Sequence, residues 1–264
     1  HLAIDESVNN AVLDIKENNV SKCSDGAGNL IDNDENNEGE SSNLVVQNFV
    51  QRGNSDLKLS DETELRIPSS FSVPVSKKMT VTGGSGILTL GGTVTFKNKS
   101  QFILNSLQTE VRGTFDFSSE NTLDAQQSVN FQSSSSKWKN SQIKVTEGAT
   151  LEFTDNQWQT QGTLTKTGGS MSLNNVVWSL SDDTSYSSDT EIETKTLLLN
   201  NNLLTLGTAG SDISVTDNMT FDNSSEQINT GLADLSLEGG LILEEGEITS
   251  TGGIVYLEKG GKQS

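Results

Sequence analysis

A chain of 264 residues with 36 acidic side chains against 17 lysines and arginines carries a formal charge of -19, which repels nucleic acid and anionic membranes alike. Hydrophobic residues make up 31% of it, below the roughly 45% usual for globular domains; this disfavours one thick core and suits a thin core repeated many times. No apolar run reaches the about 18 residues that would span a bilayer, and Cys23, the only cysteine, can form neither an internal disulfide nor a CxxC metal site.

The chain begins at His1 with neither an initiator methionine nor a signal peptide, so it reads as a processed product or a segment of something longer. The stretch "LAIDESVNNAVLDIKENN" predicts a short amphipathic helix from Leu2 through Ile15. It is followed by "CSDGAGNLIDNDENNEGESSN", a polar acidic loop with almost no apolar content. Asp25, Asn29, Asp32, Asp34, Asn36 and Glu38, with Glu40, offer hard oxygen ligands, and Gly26, Gly28 and Gly39 allow tight turns, which is the composition Ca2+ takes. Asp32, Asp34 and Asn36 resemble the first ligands of an EF-hand loop, but Asn37 stands at the glycine position and Asn43 at the bidentate glutamate position. A solvated loop without metal is the competing reading. Residues 1–54 are expected to cap one end of a stack formed by residues 55–264, because an open solenoid end exposes strand edges.

From residue 55 the short-range period is two: Leu88 and Leu90, Val94 and Phe96, Phe102 and Leu104, Phe115 and Phe117. Such alternation over four or five residues between Gly, Asn and Ser signals half-buried strands. A longer period overlies it. Cut every 20 residues, "VNFQSSSSKWKNSQIKVTEG", "ATLEFTDNQWQTQGTLTKTG" and "GSMSLNNVVWSLSDDTSYSS" align Phe131 with Leu151 and Met171, and Trp138 with Trp158 and Trp178. Gly148 and Gly168 close the first two blocks at the same place. Periods of about 20 to 50 residues mark stacked supersecondary units, so one block reads as one coil. The period loosens after Ser188, and "LSDDTSYSSDTEIET" (180–194) is expected to protrude as a corner loop.

Coils of this length with two or three short strands and Gly/Asn corners resemble a right-handed parallel β-helix over roughly residues 55–260. The expected fold is therefore all-β, a parallel β-solenoid, with an antiparallel β-sandwich as the alternative. The resemblance implies architecture more than activity. The same fold carries polysaccharide lyases, phage tailspikes, autotransporter passengers and filamentous-haemagglutinin-type adhesins.

Material for catalysis is sparse. His1 is the only histidine and arginine occurs only at 52, 66 and 112, so Ser/His/Asp and Cys/His machinery is absent. Asp182 and Asp183 are adjacent and on an unbroken strand would face opposite ways, while Asp116 and Glu152 read as outward positions between inward apolar ones. The tryptophans have two readings: an inward aromatic ladder, or an outward ligand-binding strip whose indoles stack on sugar rings. Outward threonines such as Thr93 and Thr95 in "TVT" raise an ice-binding reading, which is set aside because they do not stack at the same register in successive coils. The expected function is a non-enzymatic extracellular or cell-surface module, structural or adhesive, whose partners are surface proteins or glycans. The alternatives are a filament or surface-layer subunit that stacks end to end as a homo-oligomer, and a polysaccharide-acting enzyme or tailspike.

Overall fold

The computed structural model describes the backbones of Leu2–Ile4, Ala11–Lys16, Asn19–Ser24 and Leu30–Ile31, and the chain from Asn43 to Gln263 apart from 52, 60–62, 84–85, 106–107, 119, 133–134 and 259–260. Side chains are described between Val45 and Glu258, with 108 and 118 excluded besides those gaps. Among the described residues every element is a strand, and from Asn43 onward every pairing between them is parallel. The fold is a parallel β-solenoid. Two compact units divide it, His1–Ser134 and Ser135–Ser264.

In the first unit each coil supplies three strands, one to each of three parallel sheets. One sheet stacks Asn43–Val45, Glu64–Ile67, Ile87–Leu90, Gln108–Val111 and Val129–Gln132. The second stacks Asn48–Gln51, Ser70–Val73, Thr93–Phe96 and Thr114–Ser118. The third stacks Ser55–Leu59, Lys78–Gly83, Gln101–Asn105 and Thr122–Ala125. Because side chains alternate along a strand, ladder partners put like on like. Phe49, Phe71, Val94 and Phe115 form one inward column, and Leu57, Val81, Leu104 and Ala125 another. Phenylalanines fill this interior. The Phe96 ring lies 4.7 Å from Phe102, 5.0 Å from Phe117 and 5.5 Å from Phe115 between centroids.

Corners are turned by residues in the left-handed region. Ser76, Lys99 and Glu120 occupy one corner of successive coils with φ of 56°, 58° and 56°. Beneath that corner the buried Asn121 accepts hydrogen bonds from Ser100 N (2.9 Å) and Ser100 Oγ (3.1 Å) and donates to Phe96 O (2.9 Å). Three backbone and side-chain groups that the turn strips from the ladder are thereby satisfied.

In the second unit the strands Ser135–Thr154, Gln157–Asn174 and Val177–Ser187 run long and bend through the corners. Shorter strands then continue the stack: Ile192–Thr194, Ile213–Val215, Leu235–Leu237 and Val255–Leu257 on one face, Leu203–Leu206, Gln227–Asn229 and Glu247–Thr249 on another, and Met219–Phe221, Leu241–Leu243 and Gly261–Gln263 on the third.

Four expectations are corrected. The helix foreseen from Leu2 through Ile15 is two strands: Leu2–Ile4 pairs with Asn48–Gln51 and Ala11–Lys16 with Ser55–Leu59. Ala11, Leu13 and Ile15 also alternate with period two, and an available sheet edge selects that reading over the helical one. The 180–194 segment does not protrude, since Leu180, Thr184, Tyr186, Ile192 and Thr194 are all buried. The block period is elastic, with ladder partners in successive coils from 19 residues apart (Trp178 and Leu197) to 24 apart (Leu57 and Val81). That elasticity brings Thr93 into register with Ser70 and Thr114, and Thr95 with Ser72 and Asp116, so Thr93 stacks on a threonine in the next coil and Thr95 does not.

The parallel stack reaches back across the boundary expected at residue 54, because Asn43–Val45 and Asn48–Gln51 already belong to it. Ahead of it, Asn19–Ser24 pairs antiparallel with Ala11–Lys16, and Leu30–Ile31 antiparallel with Asn19–Ser24.

Replacing Phe96 by Ala removes a ring with four aromatic neighbours, Phe71, Phe102, Phe115 and Phe117, in an interior built on fixed coil spacing. The expected loss is about 3–5 kcal/mol in urea unfolding, and a loss below about 1 kcal/mol would mean that the coils collapse around the cavity.

Candidate functional site

The second unit carries a surface groove of about 580 Å³ where its ladder is interrupted. Thr150–Thr154 and Ser170–Asn174 pair along one wall of the coil. The next strand on that face, Ile192–Thr194, packs beside Gln157–Asn174 but starts a separate four-stranded sheet, with no ladder joining the two. Met171 and Leu173, both buried, form the floor. One wall presents Ser172, Asn174 and Asn175, and the other Glu191, Glu193, Lys195, Thr216 and Asp217.

The first wall is held by its neighbours. Asn174 Nδ2 donates to Glu152 Oε1 (2.8 Å), Asn174 Oδ1 accepts from Ser172 Oγ (3.1 Å), and Asn175 donates to Asp155 one coil below. Asp217 Oδ2 on the opposite wall accepts from Thr196 Oγ1 at 2.8 Å. The side chains of Glu191, Glu193 and Lys195 are exposed and make no hydrogen bond or ion pair with other described residues. The groove thus offers oriented amides on one side and uncommitted charges on the other, above two apolar side chains.

A buried lysine sets where the second wall begins. The Lys166 side chain is 0% exposed and points into the corner at Gly168 and Gly169, within the bent strand Gln157–Asn174. There Nζ donates to Gly168 O, to Gly169 O (2.5 Å), to Asp189 Oδ1 (2.9 Å) and to Thr190 Oγ1 (2.7 Å). Asp189 Oδ2 accepts from Gly168 N at 2.6 Å. Gly168 has φ of +77°, and a Cβ there would stand 2.0 Å from Val145 O, so the corner requires glycine. Partial burial alone would raise the Asp189 carboxyl, but the Lys166 ammonium and the Gly168 N–H hold it below the ordinary aspartate value.

All three tryptophans face inward, Trp138 at 1% and Trp158 and Trp178 at 0% exposure. The ligand-binding strip expected at Trp138, Trp158 and Trp178 is therefore corrected to an interior ladder, because a buried indole offers no face to a sugar. The ladder is also not a run of three in register. Trp158 pairs with Trp178, their rings 4.8 Å apart, whereas Trp138 pairs with Thr160 and its ring meets Phe153 at 6.0 Å. Trp178 Nε1 donates to Thr160 Oγ1 (2.8 Å), which lies 3.3 Å from Thr184 Oγ1. Tyr186 lies against Trp178 at 5.4 Å. Burial pushes its phenol well above the ordinary tyrosine value, and the neighbouring Ser188 only partly offsets this, its hydroxyl making no hydrogen bond of normal geometry with Tyr186.

The carboxylates singled out from sequence lie apart. Asp116 and Glu152 are outward between inward apolar neighbours, and only Glu152 reaches the groove wall, through Asn174. Asp182 and Asp183 are both exposed, because the bend of Val177–Ser187 turns the pair outward together; Gln161 Nε2 donates to Asp182 Oδ2 (2.7 Å) and Leu203 N to Asp183 Oδ1 (2.8 Å). Asp25, Asn29, Asp32, Asp34, Asn36 and Glu38 lie outside the described residues. Among the described residues no three carboxylate, histidine or cysteine groups are grouped to hold a metal ion. Sequence reasoning missed the groove, and its one trace was the loosening of the period near Ser188. No protein-family model, curated protein or solved structure matches the chain.

Lys166→Met removes the donors that tie two corners together and is expected to cost about 1–3 kcal/mol in chemical unfolding. Asp189 has a lowered folded pKa, so its contribution is present above the unfolded value of about 3.9 and fades as pH falls through the folded one. The Asp189→Asn variant is thus expected to melt below the parent at neutral pH, with the gap closing below about pH 4; a constant gap would remove the charge from the argument. Half-exposure of that side chain keeps the difference within about 1 kcal/mol.

Proposed function

We propose that the chain is a non-enzymatic structural and adhesive solenoid module of an extracellular or cell-surface protein, and that it holds a glycan in the groove between Asn174 and Glu193. The groove carries this reading. Oriented amides, hydroxyls and carboxylates suit the hydroxyl pattern of a sugar, and Met171 and Leu173 give an apolar floor for its C–H face. Acidic lining favours neutral or amino sugars over uronates, consistent with a chain of net charge -19. For the enzyme alternative a general acid would have to stay protonated in a desolvated pocket, and Glu191 and Glu193 are exposed. Wild-type protein is expected to bind a subset of neutral or amino glycans on an array, with Glu193→Gln and Asn174→Ala each weakening binding at least about tenfold, the loss of one to two polar contacts. No binding across the panel would overturn the adhesive reading, and reducing-end release from any glycan would overturn the non-enzymatic one.

A second reading rests on the last described coil. Its inward Leu257 is 44% exposed, whereas its ladder partner Leu237 one coil earlier is at 0%, and the outward Tyr256 beside it is 45% exposed. Apolar side chains of this kind suit contact with a further coil, and end-to-end association of copies is the second proposal. Negative-stain electron microscopy across a concentration series is expected to show lengthening particles; isolated short particles at every concentration would dismiss it. Calcium binding by the Asp25–Glu38 loop is proposed on the sequence alone, and an unchanged melting temperature between calcium and chelator would count against it.

A further inference from the structure

The outward surface of the second sheet in the first unit is a grid of hydroxyls. Its strands pair without a register shift, so the outward residues form two columns: Asn48, Ser70, Thr93 and Thr114, and beside them Val50, Ser72, Thr95 and Asp116. Neighbours within a column stand about 4.8 Å apart, the strand spacing, and neighbours along a strand about 6.7 Å apart, twice the rise per residue. Five of the eight positions are Ser or Thr. Ser70 Oγ donates to Asn48 Oδ1 at 2.7 Å, while the hydroxyls of Ser72, Thr93, Thr95 and Thr114 make no hydrogen bond to other described residues.

Three features make this more than a polar surface. The sheet is backed by Phe71, Val94, Phe96, Phe115 and Phe117, all buried, which fixes the strands that carry the hydroxyls. Threonine is branched at Cβ and stiff at χ1, so the hydroxyl and methyl of each residue keep one orientation and little entropy is lost on binding. Along one margin two of the four corners are glycine: a Cβ at Gly92 would stand 2.0 Å from Ser69 O, and one at Gly113 1.9 Å from Gly92 O. Close stacking at these two corners leaves no room for a side chain at Gly92 or Gly113, while Gln47 and Ser69 stand at the same margin in the two earlier coils, joined by a hydrogen bond from Ser69 Oγ to Gln47 Oε1 (3.1 Å).

A rigid two-dimensional repeat is of no use to a small soluble ligand, which meets one or two sites; it favours a partner that itself repeats, where many weak contacts act together. The two repeating partners rich in hydroxyl hydrogen bonding are crystalline polysaccharide and crystalline water. Polysaccharide faces are gripped by aromatic rings, and every aromatic side chain of this sheet points inward. Short hydroxyls spaced by methyl groups, carrying one charge at the margin in Asp116, instead match a lattice of water molecules. We propose that the face built on Ser70, Ser72, Thr93, Thr95 and Thr114 binds ice, with the hydroxyls taking the hydrogen bonds of lattice waters and the threonine methyls seated between them. This activity is independent of the groove in the second unit.

The test freezes a dilute solution of the full chain slowly onto a cold surface and measures the protein fraction in the ice and in the remaining liquid, beside an unrelated acidic protein. The wild type is expected in the ice fraction and to slow recrystallisation of a frozen film. Thr93→Lys combined with Thr95→Lys is expected to lose both effects while keeping its circular dichroism and melting temperature. Thr80→Lys, on another sheet of the same unit, is expected to keep both. Wild type left in the liquid with the control protein would overturn the proposal, as would undiminished partition of the Thr93/Thr95 variant. Retention on crystalline cellulose or chitin without uptake into ice would overturn it in favour of a polysaccharide surface.

Discussion

The fixed spacing between coils governs this molecule. Parallel ladders hold successive strands about 4.8 Å apart, so each inward side chain must share its column with one above and one below. A column therefore works only if its members are alike or complementary in shape. Phe49 over Phe71, Trp158 over Trp178 and Ile192 over Ile213 satisfy this directly. Each coil is too thin to bury an apolar face alone, and stability arises between neighbours rather than within one coil. This explains how a chain with so little hydrophobic content has an interior at all.

The same constraint decides what happens to polar groups inside. A hydroxyl or amide in a column cannot reach water, so its partner has to come from the adjoining coil or the corner beside it. Thr160 serves Trp178 from the coil below, Asn121 serves Ser100 and the Phe96 carbonyl, and Thr194 Oγ1 donates to Val176 O at 3.1 Å. Lys166 is the extreme case. Its ammonium is tolerated because two corner carbonyls, a hydroxyl and a carboxylate converge on it, and the consequence is a tie between two coils at the place where the groove wall begins.

Since the interior belongs to stacking, function has only the outward positions and the corners. Two arrangements arise there by opposite routes. Where register holds without a shift, outward residues line up and a repeating hydroxyl surface forms in the first unit. Where the ladder fails between Ser170–Asn174 and Ile192–Thr194, a groove opens in the second. Regularity produces one surface and its interruption produces the other, without any change in the fold.

The sequence by itself determined the strand character and the stacking. Period-two alternation in Leu88, Leu90, Val94 and Phe96, glycines at 148 and 168, and the near-20-residue recurrence are local signals that survive any detail of packing. The indoles illustrate the limit: recurrence placed Trp138, Trp158 and Trp178 in one column, but a serine-rich turn resets parity and register, and only the folded ladder shows Trp138 over Thr160 and all three inside. Tertiary structure alone decided the fate of Leu2–Ile15, where a helical and an alternating pattern coexist and a free sheet edge chooses the strand. It alone decided the groove too, because residues from 171 to 217 meet there through three successive coils and share no motif. The physical reason is common to these cases: alternation is encoded within a few residues, whereas register depends on how much chain each corner absorbs, and that is fixed only when one coil docks on the next.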